Sequence, residues 1–432
     1  MHLNKEKITD YARLSSVKTD KFKSSVISFS MTLPLTKKHF ASNLLLSHIL
    51  RRGTISYPST ALLNKRLDEL YGSYVEIKSH RIGENISLNI TAEFLDSKYI
   101  PDNTDVFGEI VSIASELILS PAFLQNGFNA SFFEQEKKLI CDSIDSQINN
   151  TRVYAAKRCA EIMQEYTDIP SSKELKALIS SATLDSLLDY HAYLTTHAPI
   201  NIFYVGSQDE NLTKAKLENA FSAYPCKSVA DLTFPRPLSR EVTLELSEKM
   251  PVSQGKLALG FSLGVVIDKD SNEYYTAMML NEILGGSASS KLFLNVREKL
   301  SLCYYCSSSF SIYSGVILVS SGFEVKNYDI ARQAIFDQIE DIKQGKISDA
   351  ELLAAKRSIT SSYRQLYDSP FDLQAFYGDR ALFGISDGID DTVSKLLAVS
   401  KNDIVALAQG IKLDASYFIE GTLESETEED YE

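Results

Sequence analysis

The sequence has few cysteines, no long apolar run and no excess of basic residues. Five cysteines in 432 residues are an odd and small number, so reduced thiols are predicted rather than a disulfide framework. No apolar run approaches the ~18–20 residues that span a bilayer, and the start of the chain lacks the apolar core of a signal peptide. A net charge of −13 argues against nucleic-acid binding, which needs a basic face for phosphate. These absences predict a cytoplasmic protein with no nucleic-acid or membrane partner.

Two cysteines, Cys303 and Cys306, have the C-x-x-C spacing of redox and zinc motifs. They lie in a β-like run of aromatic residues and serines, whereas a redox motif would open a helix. A zinc site would need a second pair of ligands. We therefore expect buried strand cysteines.

The order of predicted elements indicates an internal duplication. The segment 228–241 contains two prolines and no periodicity, which is typical of a linker. On each side of it a strand, two helices, two adjacent strands and long helices follow in the same order, and "LNKRLDELYGSY" (Leu63–Tyr74) aligns with "LNVREKLSLCY" (Leu294–Tyr304) with one gap. We predict an α+β fold of two homologous domains, each an antiparallel-rich sheet with helices packed on it. The predicted ranges are 1–227, a linker at 228–241, 242–424 and an acidic tail at 425–432.

Four stretches carry a resemblance to a known family: "SHILRRGTISYPS", "FFEQEKKLI", "LGGSASSKLFLNVREKLSLCYY" and "SDAELLAAKRSI". In this order and spacing they resemble the pitrilysin/insulinase metallopeptidase superfamily, which includes mitochondrial processing peptidase. The resemblance covers nearly the whole chain and implies the metallopeptidase fold of that superfamily, with paired homologous α+β domains.

In active members, the resemblance implies a His-x-x-Glu-His helix before a Gly-Thr pair, and a glutamate ligand on a later helix. Residues i, i+3 and i+4 share a helix face, so both imidazoles reach one zinc and the glutamate activates its water. Aligned on "RRGT", Leu44 replaces the first histidine, Ser47 replaces the base, and His48 alone remains. On the later helix Glu136 matches an acidic position, but the ligand position falls on Ser143. We therefore expect no metal and no catalytic residue in this chain, and His48 hydrogen-bonded at a helix end near Gly53.

A second pair of family positions is retained. In active relatives the second domain supplies an arginine and a tyrosine seven residues apart, which close over the substrate. Arg297 and Tyr304 stand at that spacing, although Ser301 replaces the usual glycine. The resemblance implies that the hydroxyl donates to a developing oxyanion and that the guanidinium holds a substrate carbonyl or carboxylate. The alternative is a surface arginine and a core-facing tyrosine on an ordinary strand.

In the two-chain members of the family, one chain carries zinc and the other carries the arginine and tyrosine. The residues here match the second kind, so the sequence predicts a non-catalytic subunit that positions peptide substrates for a zinc-bearing homologous subunit. Zinc is then expected only in that partner. Two alternatives stay open: a self-dimerising peptide-binding or scaffolding protein, which takes up an extended peptide at a strand edge, and a peptidase with an unorthodox metal site.

Overall fold

A computed structural model describes residues 3–125, 128–164, 167–232, 242–264, 271–311, 314–382, 385 and 387–423. The chain folds into two compact units. The first comprises the described residues of Met1–Ile144, Asp168–Phe234 and Arg364–Gly388, and the second comprises those of Asp145–Thr167, Pro235–Tyr363 and Ile389–Glu432. Each unit is built on one sheet.

The described residues of the first half form one six-stranded sheet and eight α-helices. Its strands are β1 (Leu3–Thr9), β2 (Ala12–Lys18), β3 (Ser24–Pro34), β4 (Tyr74–Ile82), β5 (Asn85–Leu95) and β6 (Ile200–Gly206). Its helices are α1 (Lys37–Ile49), α2 (Thr60–Glu69), α3 (Val106–Leu119), α4 (Ala130–Ser146), α5 (Thr151–Met163), α6 (Ser172–Ser181), α7 (Leu184–His197) and α8 (Glu210–Phe221).

In the second half, the residues that the structure describes form a five-stranded sheet and six α-helices. Its strands are β7 (Leu244–Met250), β8 (Gly255–Ser262), β9 (Tyr305–Ser311), β10 (Val316–Phe323) and β11 (Lys412–Gly421). Its helices are α9 (Asn272–Asn281), α10 (Tyr328–Lys343), α11 (Asp349–Gln365), α12 (Pro370–Leu382), α13 (Ile389–Ala398) and α14 (Lys401–Ala408). Two π-helical segments, Glu282–Gly286 and Leu292–Lys299, lie between α9 and β9.

The two sheets share one topology. The first has the order β1-β2-β6-β3-β5-β4 and the second has the order β7-β11-β8-β10-β9. In each sheet only one pair is parallel, β2 with β6 and β7 with β11, and the remaining described pairs are antiparallel. The aligned segments Leu63–Tyr74 and Leu294–Tyr304 both run from a helix to the start of an edge strand. The predicted duplication and α+β class are therefore confirmed.

Alternating side chains make one face of each sheet apolar, and the helices cover that face. In β3 the odd-numbered residues Ile27, Phe29 and Met31 are at most 1% exposed and join the first core. Leu257, Leu259 and Phe261 of β8 are at most 2% exposed and join the second core. This period of two is what a sheet with one helix-covered face requires.

Two helices in equivalent positions of the repeat pack with the sheet of the opposite half. Helix α5 lies against β8 and β11, where Cys159 and Met163 join a core with Ala258 and Ala415. Helix α12 lies against β3 and β6 of the first sheet. The predicted domains were the contiguous ranges 1–227 and 242–424. In the compact units α5 belongs with the second sheet and α12 with the first, so these two helices are exchanged.

The opposite faces of the sheets carry more polar side chains. On β3, Ser28 accepts a hydrogen bond from Gln374 Nε2 of α12 at 2.9 Å. The rings of Phe203 and Tyr377 stack beside it with centroids 6.1 Å apart. Helix α12 thus covers part of this face. Most of the predicted linker and tail, residues 233–241 and 424–432, lies outside the described residues. No helix in the described part of the chain is long and apolar enough to cross a membrane.

Candidate functional site

Helix α1 places His48 in its last turn. The helix begins after Thr36, whose hydroxyl caps the first turn, and continues as the 3-10 segment Leu50–Arg52. Gly53 ends it with φ 132°, and a Cβ there would lie 2.2 Å from the carbonyl oxygen of Tyr57. Only glycine tolerates that conformation and that approach. The helix end therefore aims His48 and Arg52 in a fixed direction.

His48 and Arg52 both bind the carboxylate of Glu136 on α4. His48 Nδ1 lies 3.1 Å from Oε2, and Arg52 Nη2 lies 2.5 Å from Oε1. The Glu136 side chain is 9% exposed, so the two bonds engage each oxygen of a nearly buried carboxylate once. The guanidinium also stacks on Phe132, with Cζ 4.8 Å from the ring centroid. The expected hydrogen bond of His48 near Gly53 is present, and its partner is Glu136.

The protonation of this cluster follows from its contacts. Burial by itself would raise the pKa of Glu136, but the hydrogen bond from His48 and the charge of Arg52 together hold that pKa below its ordinary value. The carboxylate is therefore ionised and can only accept, so His48 Nδ1 carries the proton. A neutral His48 then keeps a single lone pair, on Nε2.

The other positions of the family zinc motif offer no ligands. Leu44 packs against the first core. The Ser47 hydroxyl is buried and donates to the carbonyl oxygen of Leu44 at 2.7 Å, so it is bound to its own helix. Ser143 lies on the exposed side of α4. The described residues contain no group of three or more His, Cys, Asp or Glu side chains that could hold a metal. A zinc ion therefore does not fit this donor set, which offers one imidazole and a carboxylate already paired with arginine.

Arg297 and Tyr304 are brought together before strand β9. Arg297 Nε donates to the carbonyl oxygen of Tyr304 at 3.1 Å, and its Cζ lies 4.6 Å above the ring centroid of Phe293. The Tyr304 amide donates to Gly322 on β10 at 2.8 Å, which anchors the backbone, while the residue is 52% exposed. The tyrosine is thus not core-facing. The arrangement presents a phenol hydroxyl and a guanidinium to solvent from a fixed backbone.

The turn between Arg297 and Tyr304 explains the glycine of the family pattern. Ser301 has φ 50°, in the left-handed region that favours glycine. Its hydroxyl donates to the carbonyl oxygen of Glu298 at 3.1 Å, which offsets part of the cost of that conformation. The serine therefore preserves the turn that sets the spacing of the pair.

The C-x-x-C pair lies behind this turn in the second core. Cys303 and Cys306 are buried, and the Ser321 hydroxyl lies 3.1 Å from Cys303 Sγ. Only Cys306 belongs to a strand, β9, because Cys303 precedes it. The described cysteines are free thiols.

The role of Arg52 was not predicted from the sequence. A signal was present, because Arg52 follows His48 by four residues and the two share a helix face when the helix continues past Ile49. The acidic partner could not be read from spacing alone, since Glu136 lies 88 residues further along the chain from His48.

Part of the chain is similar to a known family. Residues 181–359 match the family described as "Peptidase M16 inactive domain". A protein of Bacillus subtilis (strain 168) described as "Probable inactive metalloprotease YmfF" is 29% identical over 409 residues, which cover 94% of this chain and 95% of that protein. Another from the same strain, described as "Uncharacterized zinc protease YmxG", is 28% identical over 235 residues, or 54% of this chain and 56% of that protein.

A solved structure has the same fold. A conserved protein from Enterococcus faecalis V583 superimposes with a TM-score of 0.87 at 26% identity, covering 99% of this chain and 100% of that one. The similarity therefore extends over both halves.

Proposed function

We propose that the chain, whose residues 181–359 match the family described as "Peptidase M16 inactive domain", is a non-catalytic subunit that binds peptides and presents Arg297 and Tyr304 to them beside a zinc-bearing homologous subunit. The observation that carries this proposal is the Arg297–Tyr304 arrangement, built by a strained turn and anchored to the sheet.

The side chains of Arg297 and Tyr304 suit a peptide whose carbonyl carbon is attacked by a nucleophile. The phenol hydroxyl of Tyr304 can donate to an oxygen that becomes negative, and such a donor stabilises the transition state more than the ground state. Arg297 donates its Nε–H to the Tyr304 carbonyl, and its Nη1 lies 3.4 Å from Glu298 Oε1. The N–H groups on Nη2 can hold a peptide carbonyl or carboxylate. Neither group can activate water by itself, so the nucleophile comes from another chain in this proposal.

The first half has lost the residues for hydrolysis. The carboxylate of Glu136 is paired with Arg52 of the same chain, and the position of the catalytic base is occupied by Ser47. In the second half, by contrast, Arg297 and Tyr304 are both retained at the family positions. Among the relatives, one B. subtilis strain has both a protein described as probably inactive and one described as a zinc protease. A complex of an inactive chain with a zinc-bearing chain is consistent with this pair of relatives.

The test is reconstitution with the homologous zinc protease of the same organism, followed by turnover of a peptide substrate per folded complex. Tyr304→Phe should lower turnover by about 10²–10³, the usual cost of one oxyanion donor. Arg297→Lys should weaken substrate binding, because an ammonium cannot reproduce the fork.

The chain offers a matched control at the repeat-equivalent position. Tyr74 begins the edge strand β4 and is 52% exposed, as Tyr304 is. Tyr74→Phe should leave turnover unchanged. Equal turnover of the Tyr304→Phe and Tyr74→Phe complexes, with assembly intact, would refute the proposed role and favour a self-associating scaffold.

A further inference from the structure

A row of neighbouring side chains crosses the second sheet on the face covered by α5. The strand register places Lys256 of β8 opposite Gly322 of β10, and Gly322 opposite Tyr305 of β9. In the other direction Lys256 pairs with Ile419 of β11, which pairs with Glu248 of β7. Residues directly opposite one another in register point to the same face. Lys256 and Tyr305 therefore lie side by side with only a glycine between them.

Gly322 gives the ring of Tyr305 its position. A Cβ at residue 322 would lie 2.4 Å from Tyr305 Cε1, so the ring occupies the space above the glycine. This brings the ring toward Lys256, whose Nζ lies 5.7 Å from the ring centroid. Any larger residue at position 322 would displace the ring.

Helix α5 brings a second cation to the same ring. Arg152 Cζ lies 4.1 Å from the centroid of Tyr305, and Arg152 Nη2 donates to the Ser307 hydroxyl at 3.3 Å. One tyrosine ring thus contacts both a guanidinium and an ammonium. The aromatic ring attracts each of them, but the two charges repel each other.

Neither cation has a carboxylate partner among the described residues. Lys256 Nζ donates to the neutral amide of Gln254 at 2.6 Å. The acidic member of the row, Glu248, accepts hydrogen bonds from the hydroxyls of Tyr154 and Tyr417. Burial and then the charge of Arg152 lower the pKa of Lys256, as expected for an uncompensated pair of cations. In a chain with net charge −13, two clustered cations without a carboxylate are unusual.

We propose that Arg152, Lys256 and Tyr305 form a binding site for a peptide carboxylate, either a C-terminal carboxylate or an acidic side chain. The guanidinium fork matches the two carboxylate oxygens, the ammonium adds a second charge, and the phenol adds a neutral donor. Burial raises the pKa of Tyr305 to about 12, so its hydroxyl keeps the proton that it donates. The site rests on the proposed function in that the carboxylate belongs to a peptide, but it uses neither Arg297 nor Tyr304.

The test compares three fluorescein-labelled decapeptides of one sequence: one with a free C-terminus, its C-terminal amide, and the amide carrying one internal glutamate. Binding to the full chain is measured by fluorescence anisotropy. A charge-assisted hydrogen bond predicts that at least one of the two carboxylate-bearing peptides binds about 10-fold more tightly than the plain amide. Which of the two gains affinity identifies the source of the carboxylate.

The variants locate the site. Arg152→Gln and Lys256→Gln should each remove most of the carboxylate preference, and Gly322→Ala should reduce it while keeping both charges. Lys412→Gln, at an exposed position that begins β11, makes the same charge change and should leave the preference intact. Equal affinity for all three peptides, no binding of any, or a preference that survives both cation variants would overturn the proposal. The turnover test on Tyr304 decides the proposed function separately.

Discussion

Arg52 and Glu136 form an ion pair in which Nη2 lies 2.5 Å from Oε1, at a carboxylate that also binds His48. The hydrogen bond from His48 and the positive charge of Arg52 together keep this nearly buried carboxylate ionised. The imidazole of His48 and the carboxylate of Glu136 therefore bind groups of the protein itself.

The purified chain should contain no stoichiometric zinc. The donor set at Leu44, Ser47 and Ser143 provides no ligand, and one imidazole does not hold the ion. Elemental analysis after dialysis measures this directly. About one zinc per chain, lost in His48→Ala, would contradict the prediction.

Glu136→Gln should lower the free energy of unfolding by about 2 kcal/mol at pH 7, because it removes charge-assisted bonds from a nearly buried site. The folded pKa of Glu136 is lowered from its ordinary 4.5, so its stabilisation is present above that value. The stabilisation should diminish as the pH falls below about 4.5 and should disappear below the folded pKa. Urea unfolding of the wild type and the variant between pH 7 and pH 3.5 measures the difference.

The control for that series is Glu69→Gln. Glu69 pairs with Arg66 at 3.2 Å, but its side chain is 50% exposed, so its contribution should be about 0.5 kcal/mol or less. A Glu136 effect that is equally small, or that persists undiminished at pH 3.5, would show that the ion pair does not stabilise the site.

At position 301, glycine should be more stable than alanine by about 1 kcal/mol. Both substitutions remove the hydrogen bond to the Glu298 carbonyl, but only alanine keeps a Cβ at φ 50°. Chemical denaturation of the two variants gives the difference. At exposed Ser309 in β9 the order should reverse, because glycine weakens a strand. Greater stability of alanine at position 301 would show that the turn is not strained.

Tyr377→Ala should destabilise the first sheet by about 3 kcal/mol, as a large buried aromatic side chain is lost. Tyr377 is 2% exposed and stacks on Phe203 of β6. Hydrogen exchange should show weaker protection in β3 and β6, while β8 and β11 keep theirs. Loss confined to the second sheet would contradict the assignment of α12 to the first.

Much of the fold could be predicted from the sequence because buried and exposed side chains alternate regularly along a strand or helix. That alternation appears in the sequence as a periodic pattern of apolar residues. The alternation in "VISFSMTLP" predicts the first strand of the duplicated unit, and the structure has it as β3. Strands β1, β2, β7 and β11 were missed. The side chains of β1 and β7 are mostly partly or fully exposed, so no apolar alternation marks them. Strands β2 and β11 bury several side chains, so exposure does not account for them.

The remaining gaps concern partners that are distant in sequence. Periodicity shows that α5 has a buried face, but it does not say which sheet receives that face. The same holds at the site, where Arg52 lies on the predicted helix but its bond to Glu136 depends on how α4 packs. Tyr305 with Arg152 is a third case, since the two are brought together only by the exchanged helix.

The exchange of α5 and α12 makes the two repeats depend on each other. A cut in the backbone between residues 232 and 242 would separate them covalently, but each fragment would still contribute a helix to the sheet of the other. Pulling the fragments apart would expose Phe203 on one sheet and Ala258 on the other, so a nicked chain should behave as a swapped heterodimer and not as two independent proteins.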